Sequence, residues 1–347
     1  MGKHFVSLGM FIIDQFQFLA ADGTETGQSQ DPQVGTLFRS TPCIHLEIGG
    51  GGTYAAIGAR IWLPAHEIGM IVDRGNDFPE DVQRQLDAYG SEMWHFRDNA
   101  NRGTTRAVNI YRGEHRGFNY LTPRIRLTPV DLEDVPSLAR PDTIHFICSP
   151  SRAADILAEA DNIQGWTPTT LYEPIPDRCV PEELPALQKI LSRIDILSPN
   201  AEEALSLLSI PLPPTPHTIQ EAARRFLDMG IGPSSRGIVV IRCGAMGAFF
   251  EGHDTPGKWI PAFWDEATTG HVVDVTGAGN GFLGGLAAGL FLSRKIDEAI
   301  LYATVSASFV VEQLGLPKVD TTDPNNNLWN GDSPRRRLEE LRRRVGL

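Results

Sequence analysis

Hydrophobic and polar positions along this chain alternate between two periods. Short apolar runs of strand length occur in "HFVSLGMFIID" (residues 4–14), "EIGMIVD", "DTIHFICSP" and "TTLYEPIP", the last ending in Glu173 and Pro174. "GIVVIRCGAMGAFF" adds a strand–turn–strand with glycines at its centre. Between these lie helical patterns: "DFPEDVQRQLDAYG", with Pro79 early and Gly90 closing it, "SRAADILAEAD", "VPEELPALQKILSRI", "HTIQEAARRFLDMG" and "KIDEAILYATVSASFVVEQLG". "DILSPNAEEALSLL" reads as a strand running into a helix, and "TPCIHLEIGGGGTYAAIGARIWL" as a strand, a four-glycine turn and a helix. Buried strands alternating with helices predict an α/β fold with a mostly parallel sheet covered on both faces. Residues 15–45 and 94–122 break the alternation. Their pieces, such as "TTRAVNIYRG" and "FNYLTP", predict a small β appendage. "DPNNNLWNGDSP" is a turn-rich spacer, followed by a terminal helix "RRRLEELRRRV" with Ser333 as N-cap and Pro334 in its first turn. The basic residues of that helix read as a solvated face.

A chain of 347 residues is long enough for one large α/β domain with an appendage. Its net charge of −12 argues against nucleic acid or an anionic membrane as partner, while leaving room for a small anion held by backbone dipoles. The apolar run near the N-terminus is too short for a membrane span and has no signal-peptide cleavage pattern, so the expectation is a cytoplasmic protein. Cys43, Cys148, Cys179 and Cys243 are scattered, with no metal-ligand spacing, and read as reduced thiols.

Three segments carry candidate chemistry. In "DVTGAGNGFLGG", Gly277, Ala278 and Gly279 can present successive N–H groups, and a helix starting near Asn280 adds unpaired donors and its positive dipole end. A phosphoryl group would be stabilised there without a basic side chain. The competing use of such glycines is close helix packing, which Gly284, Gly285 and Gly289 suit. In "ILSPNAEEA", Asn200 and Glu203 fall at i and i+3 at a helix start; they could serve a hydrated Mg²⁺ or simply form a capping box. In "IGGGGTYAA", Gly50, Gly52 and Ala55 fit a loose dinucleotide pattern with Asp73 at ribose distance, or else a tight turn that lets a helix approach a sheet.

Taken together and in this order, these segments resemble the PfkB or ribokinase-type carbohydrate kinase family, over about residues 6–316. That resemblance implies a ribokinase-like fold for residues 1–320, with a β-sheet lid from about 15–45 and 94–122, then the spacer and basic helix of 321–347. It demotes the dinucleotide reading. "DVTGAGNGFLGG" looks like the family's anion hole and catalytic-base motif, assigning Gly277, Ala278 and Gly279 to the hole and Asn280 to the position of the base. "LSPNAEEA" looks like the N-x-x-E motif, placing Asn200 near the nucleotide and Glu203 near Mg²⁺ through water. "SLGMFIID" resembles the first strand, whose closing acid, Asp14, meets substrate hydroxyls. "GGGGTYAAIGAR" resembles the glycine signature under the substrate, giving Gly49, Gly50 and Thr53 as substrate-binding positions. "IRCGAMGAFF" looks like the strand pair lining the nucleotide pocket, assigning Arg242, Gly244 and Gly247; Thr276 joins them. The implied reaction moves the γ-phosphoryl group of ATP to a hydroxyl of a sugar, nucleoside or related small molecule. ATP and Mg²⁺ are the implied cofactors, with a monovalent cation allowed, and both monomer and homodimer are left open.

The chain departs from the family pattern at several positions. Thr53 replaces an asparagine, Arg242 a small hydroxyl residue, and Val275 a common threonine. Asn280 replaces the family's catalytic aspartate. An amide can orient a hydroxyl but cannot take its proton, and losing a general base lowers rates by about 10²–10⁴-fold. Asp274, six residues upstream, and Asp14 are the acids that could substitute. A non-catalytic nucleotide- or sugar-binding pseudokinase with a regulatory or assembly role is therefore the alternative to an active kinase.

Overall fold

The protein is described by a computed structural model that covers residues 2–20, 46–112, 115–323 and 327–347. Most of the first expected lid segment, with Cys43, lies outside the described residues.

Two sheets organise the chain. The large one contains β1 (Phe5–Ser7), β4 (Ile68–Gly75), β5 (Trp94–Asn99), β8 (Thr143–Cys148), β9 (Thr169–Pro174), β10 (Ile196–Leu197), β11 (Ile238–Arg242), β12 (Ala248–Gly252) and β13 (Thr255–Ile260). Their spatial order is β13-β12-β11-β10-β9-β8-β1-β4-β5. Pairing is parallel from β11 to β5, and only β12 and β13 run antiparallel. The small sheet has the order β3-β2-β6-β7, from β2 (Ile12–Leu19), β3 (Leu46–Gly49), β6 (Arg106–Arg112) and β7 (His115–Tyr120).

Side-chain alternation explains the layering. In β11, Val239 and Ile241 join the core on one face while Val240 joins the core on the other; in β1, Phe5 and Val6 divide in the same way. One face is covered by α1 (Gly51–Arg60), α8 (Ala278–Ser293) and α9 (Ile296–Val310), which contribute Ile57, Leu283 and Ile300. The other is covered by α4 (Pro150–Asn162), α6 (Ala201–Leu207) and α7 (Pro216–Asp228), through Ile156, Leu205 and Phe226. The remaining helices are α2 (Glu80–Ala88), α3 (Pro129–Glu133), α5 (Leu184–Gln188) and α10 (Pro334–Val345).

Four expectations need correction. Residues 94–99 belong to the large sheet and not to the lid, because α2 returns the chain for a parallel pairing in which Met70 faces Trp94. The run at 4–14 is two strands in different sheets, so Asp14 stands on β2 of the small sheet and not at the end of β1. The helix expected over "VPEELPALQKILSRI" is cut to α5 between short 3₁₀ turns, since Pro185 has no N–H to extend a helix from Pro181. The C-terminal helix is capped by Ser333 as expected, but it is docked and not simply solvated. Leu338, Leu341 and Arg337 are buried, and the Arg337 guanidinium pairs with Glu312 and Asp332 over the ring of Phe309. Cys148, Cys179 and Cys243 are free thiols. Among the described residues no helix is long and apolar enough to cross a membrane.

Candidate active site

Two glycine-led helix N-termini meet at the site. Helix α8 opens after Gly277, whose φ of 75° is left-handed, and the ring of Tyr54 packs so closely on it that a Cβ there would lie 2.2 Å from the ring. Among the described residues, the N–H groups of Gly277, Gly279 and Asn280 have no backbone acceptor, so three donors are left at the positive end of the helix. Ala278, expected as the middle donor, is not among them, because its N–H donates to the Val275 carbonyl at 3.2 Å, and Asn280 takes its place; free donors at a helix start suit a small anion. Helix α1 begins at Gly51, after Gly50 at φ 93°. The Asn280 side chain lies against Gly51, where a Cβ would come within 3.1 Å of Nδ2.

Behind this junction is a buried polar network. Asn280 Nδ2 donates to Glu173 Oε2 at 2.7 Å. The other carboxylate oxygen, Oε1, lies 2.8 Å from Arg242 Nη2. That same nitrogen donates to the Ser198 carbonyl at 3.0 Å and lies 3.6 Å from Glu203 Oε2. Arg242 Nη1 reaches the anion loop from inside: a Cβ on Gly279 would sit 1.9 Å from it. His145 Nε2 lies 3.4 Å from Glu173 Oε2, and its Nδ1 is 3.0 Å from Ser7 Oγ, which accepts the Gly9 N–H. A carboxylate beside Nε2 favours the tautomer protonated there. Burial pushes the Glu173 carboxyl up, but Arg242, helped by His145 and Asn280, outweighs it and holds the group below its ordinary value.

Asn200 and Glu203 form a complete capping box on α6. Asn200 Oδ1 accepts the Glu203 N–H at 2.8 Å, while the Asn200 N–H and Nδ2 each donate at 2.7 Å to one Glu203 oxygen. An isolated parallel bridge joins Asn200 to Arg242, which brings this helix start beside the network. Burial raises Glu203 to about 7; Arg242 opposes that shift and the neighbouring Glu173 charge adds to it. Among the described residues no cluster of three or more His, Cys, Asp or Glu could hold a metal by itself.

The other expected positions are distributed around this centre. Asp14 is buried on β2 and its Oδ2 presses on Gly49, where a Cβ would be 1.9 Å away. Thr53, in the first turn of α1, is fully buried, and its hydroxyl has no hydrogen-bond partner among the described residues. Gly244 (φ 56°) and Gly247 (φ 91°) make the turn between β11 and β12. Asp274 Oδ1 accepts from both the backbone N–H and the hydroxyl of Thr276, which fits a loop-shaping acid. The dinucleotide reading fails on geometry. Its glycines follow β3 of the small sheet, and both Asp73 oxygens are held by Arg97 at 2.8 and 2.9 Å. Sequence reasoning did not assign Glu173, His145 or Tyr54 to the site. The available signal was a carboxylate at the carboxyl end of a predicted parallel strand, the edge where α/β sheets place their sites.

A family model described as pfkB family carbohydrate kinase matches residues 41–321. An uncharacterized protein of Schizosaccharomyces pombe is 34% identical, over 97% of this chain and 92% of that protein. Protein MAK32 of Saccharomyces cerevisiae is 33% identical, over 94% of this chain and 88% of its own length. Among solved structures, Arabidopsis thaliana ribokinase complexed with ribose and ATP superposes with a TM-score of 0.64 at 18% identity, covering 98% of this chain and 99% of that one. At that identity the likeness speaks for the fold alone.

Proposed function

The chain belongs to the pfkB carbohydrate kinase family, and we propose that it transfers the γ-phosphoryl group of ATP to a hydroxyl of a sugar, nucleoside or related small molecule, with weakened base catalysis. The observation that carries this reading is the set of unpaired N–H groups at Gly277, Gly279 and Asn280, opposite the start of α1. Donors fixed before reaction stabilise charge on a phosphoryl group without reorganising, and for phosphoryl transfer positioning and such stabilisation supply most of the acceleration. Arg242 stands behind the loop as a fixed cation, and Gly244 and Gly247 shape the neighbouring turn for the nucleotide. Asn200 would stand beside the nucleotide and Glu203 would hold Mg²⁺ through water; the ion supplies charge neutralisation when bound. Asp14, Gly49, Gly50 and Thr53 would meet the acceptor. Asn280 Oδ1 can orient the acceptor hydroxyl but cannot remove its proton. The same reading makes the protein cytoplasmic, with small-molecule partners, as a monomer or homodimer.

A second reading is favoured by one observation: the side chain at the base position is an amide already bound to Glu173. On that reading the chain binds nucleotide or sugar without turning it over. Incubating the purified protein with ATP, Mg²⁺ and a panel of sugars and nucleosides separates the two, with product followed by phosphorus NMR. We expect slow phosphorylation of at least one acceptor. Binding of nucleotide or sugar without product from any acceptor would select the second reading, and binding of neither would overturn both.

A further inference from the structure

Both oxygens of the Glu173 carboxylate are engaged, chiefly by two partners of different kinds, with His145 Nε2 3.4 Å from Oε2. One oxygen receives the Asn280 amide at 2.7 Å and the other lies 2.8 Å from Arg242 Nη2. Arg242 in turn lies against Gly279, the residue just before Asn280 in the anion loop. A single buried carboxylate thus ties together the base position and the back of the phosphate cradle.

An ionised carboxylate can only accept hydrogen bonds. The Asn280 amide must therefore present Nδ2 to Glu173, which leaves Oδ1 as the end not bound to it; the amide as a whole lies against Gly51, where a Cβ would be 3.1 Å from Nδ2 and 3.4 Å from Oδ1. A carboxylate at position 280 would meet a second carboxylate at hydrogen-bond distance inside the protein. Two such groups cannot both ionise, and one must keep a proton. Among the described residues, Glu173 is faced by Arg242 from β11, His145 from β8 and Asn280 from α8, and Glu203 of α6 approaches the same Arg242 Nη2. Only Arg242 is a permanent cation, and a second anion would have to share it.

We propose that Glu173 is the positioning residue of this site: it fixes the Asn280 carboxamide by its Nδ2, and Arg242 against the anion loop, so that an amide at 280 is required as long as Glu173 is a carboxylate. Asn280 and Glu173 are then one unit, an amide–carboxylate pair whose members can be exchanged together but not singly. Restoring an aspartate at 280 alone does not rebuild a catalytic base, because the new carboxyl is held protonated by its neighbour. This inference rests on the kinase reading for its catalytic meaning but not for its test.

The experiment compares wild type, Asn280→Asp, Glu173→Gln and the exchange Asn280→Asp/Glu173→Gln, by thermal melting from pH 5.5 to 8.5 without any ligand. The single Asn280→Asp variant should lose thermal midpoint relative to wild type as pH rises, by roughly 5 °C over that range, since its folded state must hold a proton that the unfolded chain releases. The exchange keeps one amide and one carboxylate, and should restore the wild-type pH slope. Glu173→Gln, which leaves Arg242 without its carboxylate, should be destabilised at every pH in the range. If Asn280→Asp follows the wild-type slope, or the exchange fails to restore it, the proposal is overturned. Should Glu173→Gln and the exchange fail to fold, the slope of Asn280→Asp against wild type decides alone. Where the wild type binds and turns over ATP, a phosphotransfer assay on the same proteins adds the catalytic readout: turnover should rise in the exchange above that of Asn280→Asp at pH 7, and equal or lower turnover in the exchange then counts against the proposal. Because melting needs no nucleotide, absent ATP binding with the expected pH slope would sink the kinase reading and leave this one standing.

Discussion

Gly58 of α1 and Gly281 of α8 meet backbone to backbone: a Cβ on Gly58 would lie 2.0 Å from the Gly281 carbonyl oxygen. One turn further along α8, a Cβ on Gly284 would lie 1.8 Å from the carbonyl of Ala55. The crossing that brings the two helix N-termini together is therefore set by main-chain contact, which no rotamer change can relieve. Gly58→Ala should cost about 1–3 kcal/mol through forced separation of the helices, read by urea denaturation. It should also weaken ATP binding, because the cradle and the start of α1 move apart. Gly270→Ala, where a Cβ meets nothing within 4 Å, is the control expected to be near neutral.

The ion pair of Arg242 with Glu173 is buried, so removing one partner leaves the other charge in a poorly solvating place. Arg242→Met should lower stability by about 3–5 kcal/mol near neutral pH. The sign of the pH dependence follows from Glu173. Its carboxyl is held below the ordinary value in the native protein, so the pair contributes stability above the unfolded carboxylate range and loses it as pH falls. The deficit of Arg242→Met should accordingly shrink on acidification, as Glu173 becomes neutral. A deficit that stays constant from pH 7 to 4 would mean that the loss is packing and not charge.

The periodicity of the chain was enough to read the alternating α/β core, the turn at 244–247 and the start of α8, because these depend on local pattern and on glycines where the backbone needs them. What it could not reveal was pairing between distant segments. Glu173 reads as the polar end of a strand until β9 and β11 are brought near α8, and only then do its two oxygens acquire partners 69 and 107 positions away. The strand at 94–99 was misplaced for a related reason: lid and core strands look alike locally, and it is the intervening α2 that decides the sheet. The basic C-terminal helix was read as solvated because charge pattern alone does not show that Arg337 finds acids and an aromatic face inside.

Arg337 holds that helix down. It is 3% exposed, with Nη2 2.7 Å from Glu312, Nε 2.8 Å from Asp332 and Nη1 2.9 Å from Ser308 Oγ, over a Phe309 ring whose centroid lies 3.7 Å from Cζ. Arg337→Ala removes both the packing and the charge that Glu312 and Asp332 share, and should destabilise by about 3–5 kcal/mol. Hydrogen exchange provides the sharper measurement. Amides of 334–345 should lose protection first and furthest, while those of β8 and β9 change only with global stability. Uniform loss across both regions would show that the helix is not a separately docked element.

Glu203 gives the last prediction, and its sign is opposite to that of Glu173. Burial, reinforced by the Glu173 charge, raises its carboxyl to about 7 against the attraction of Arg242 and the Asn200 N–H. The folded state then keeps a proton that the unfolded chain releases near 4.5, so this group lowers stability progressively as pH rises from about 4.5 to about 7, with no further change above. Glutamine keeps an acceptor for the Asn200 N–H, gives up the second bond from Asn200 Nδ2, and removes the titration. Glu203→Gln should therefore flatten the decline in unfolding free energy between pH 5 and 7, gaining on the order of 2 kcal/mol relative to wild type at pH 7.5. Glu47, also raised to about 7 by burial, titrates in the same window, so a residual slope should persist in Glu203→Gln and disappear when Glu47→Gln is added. Parallel stability curves for Glu203→Gln and wild type would show that Glu203 is ionised in the native protein throughout, held so by Arg242.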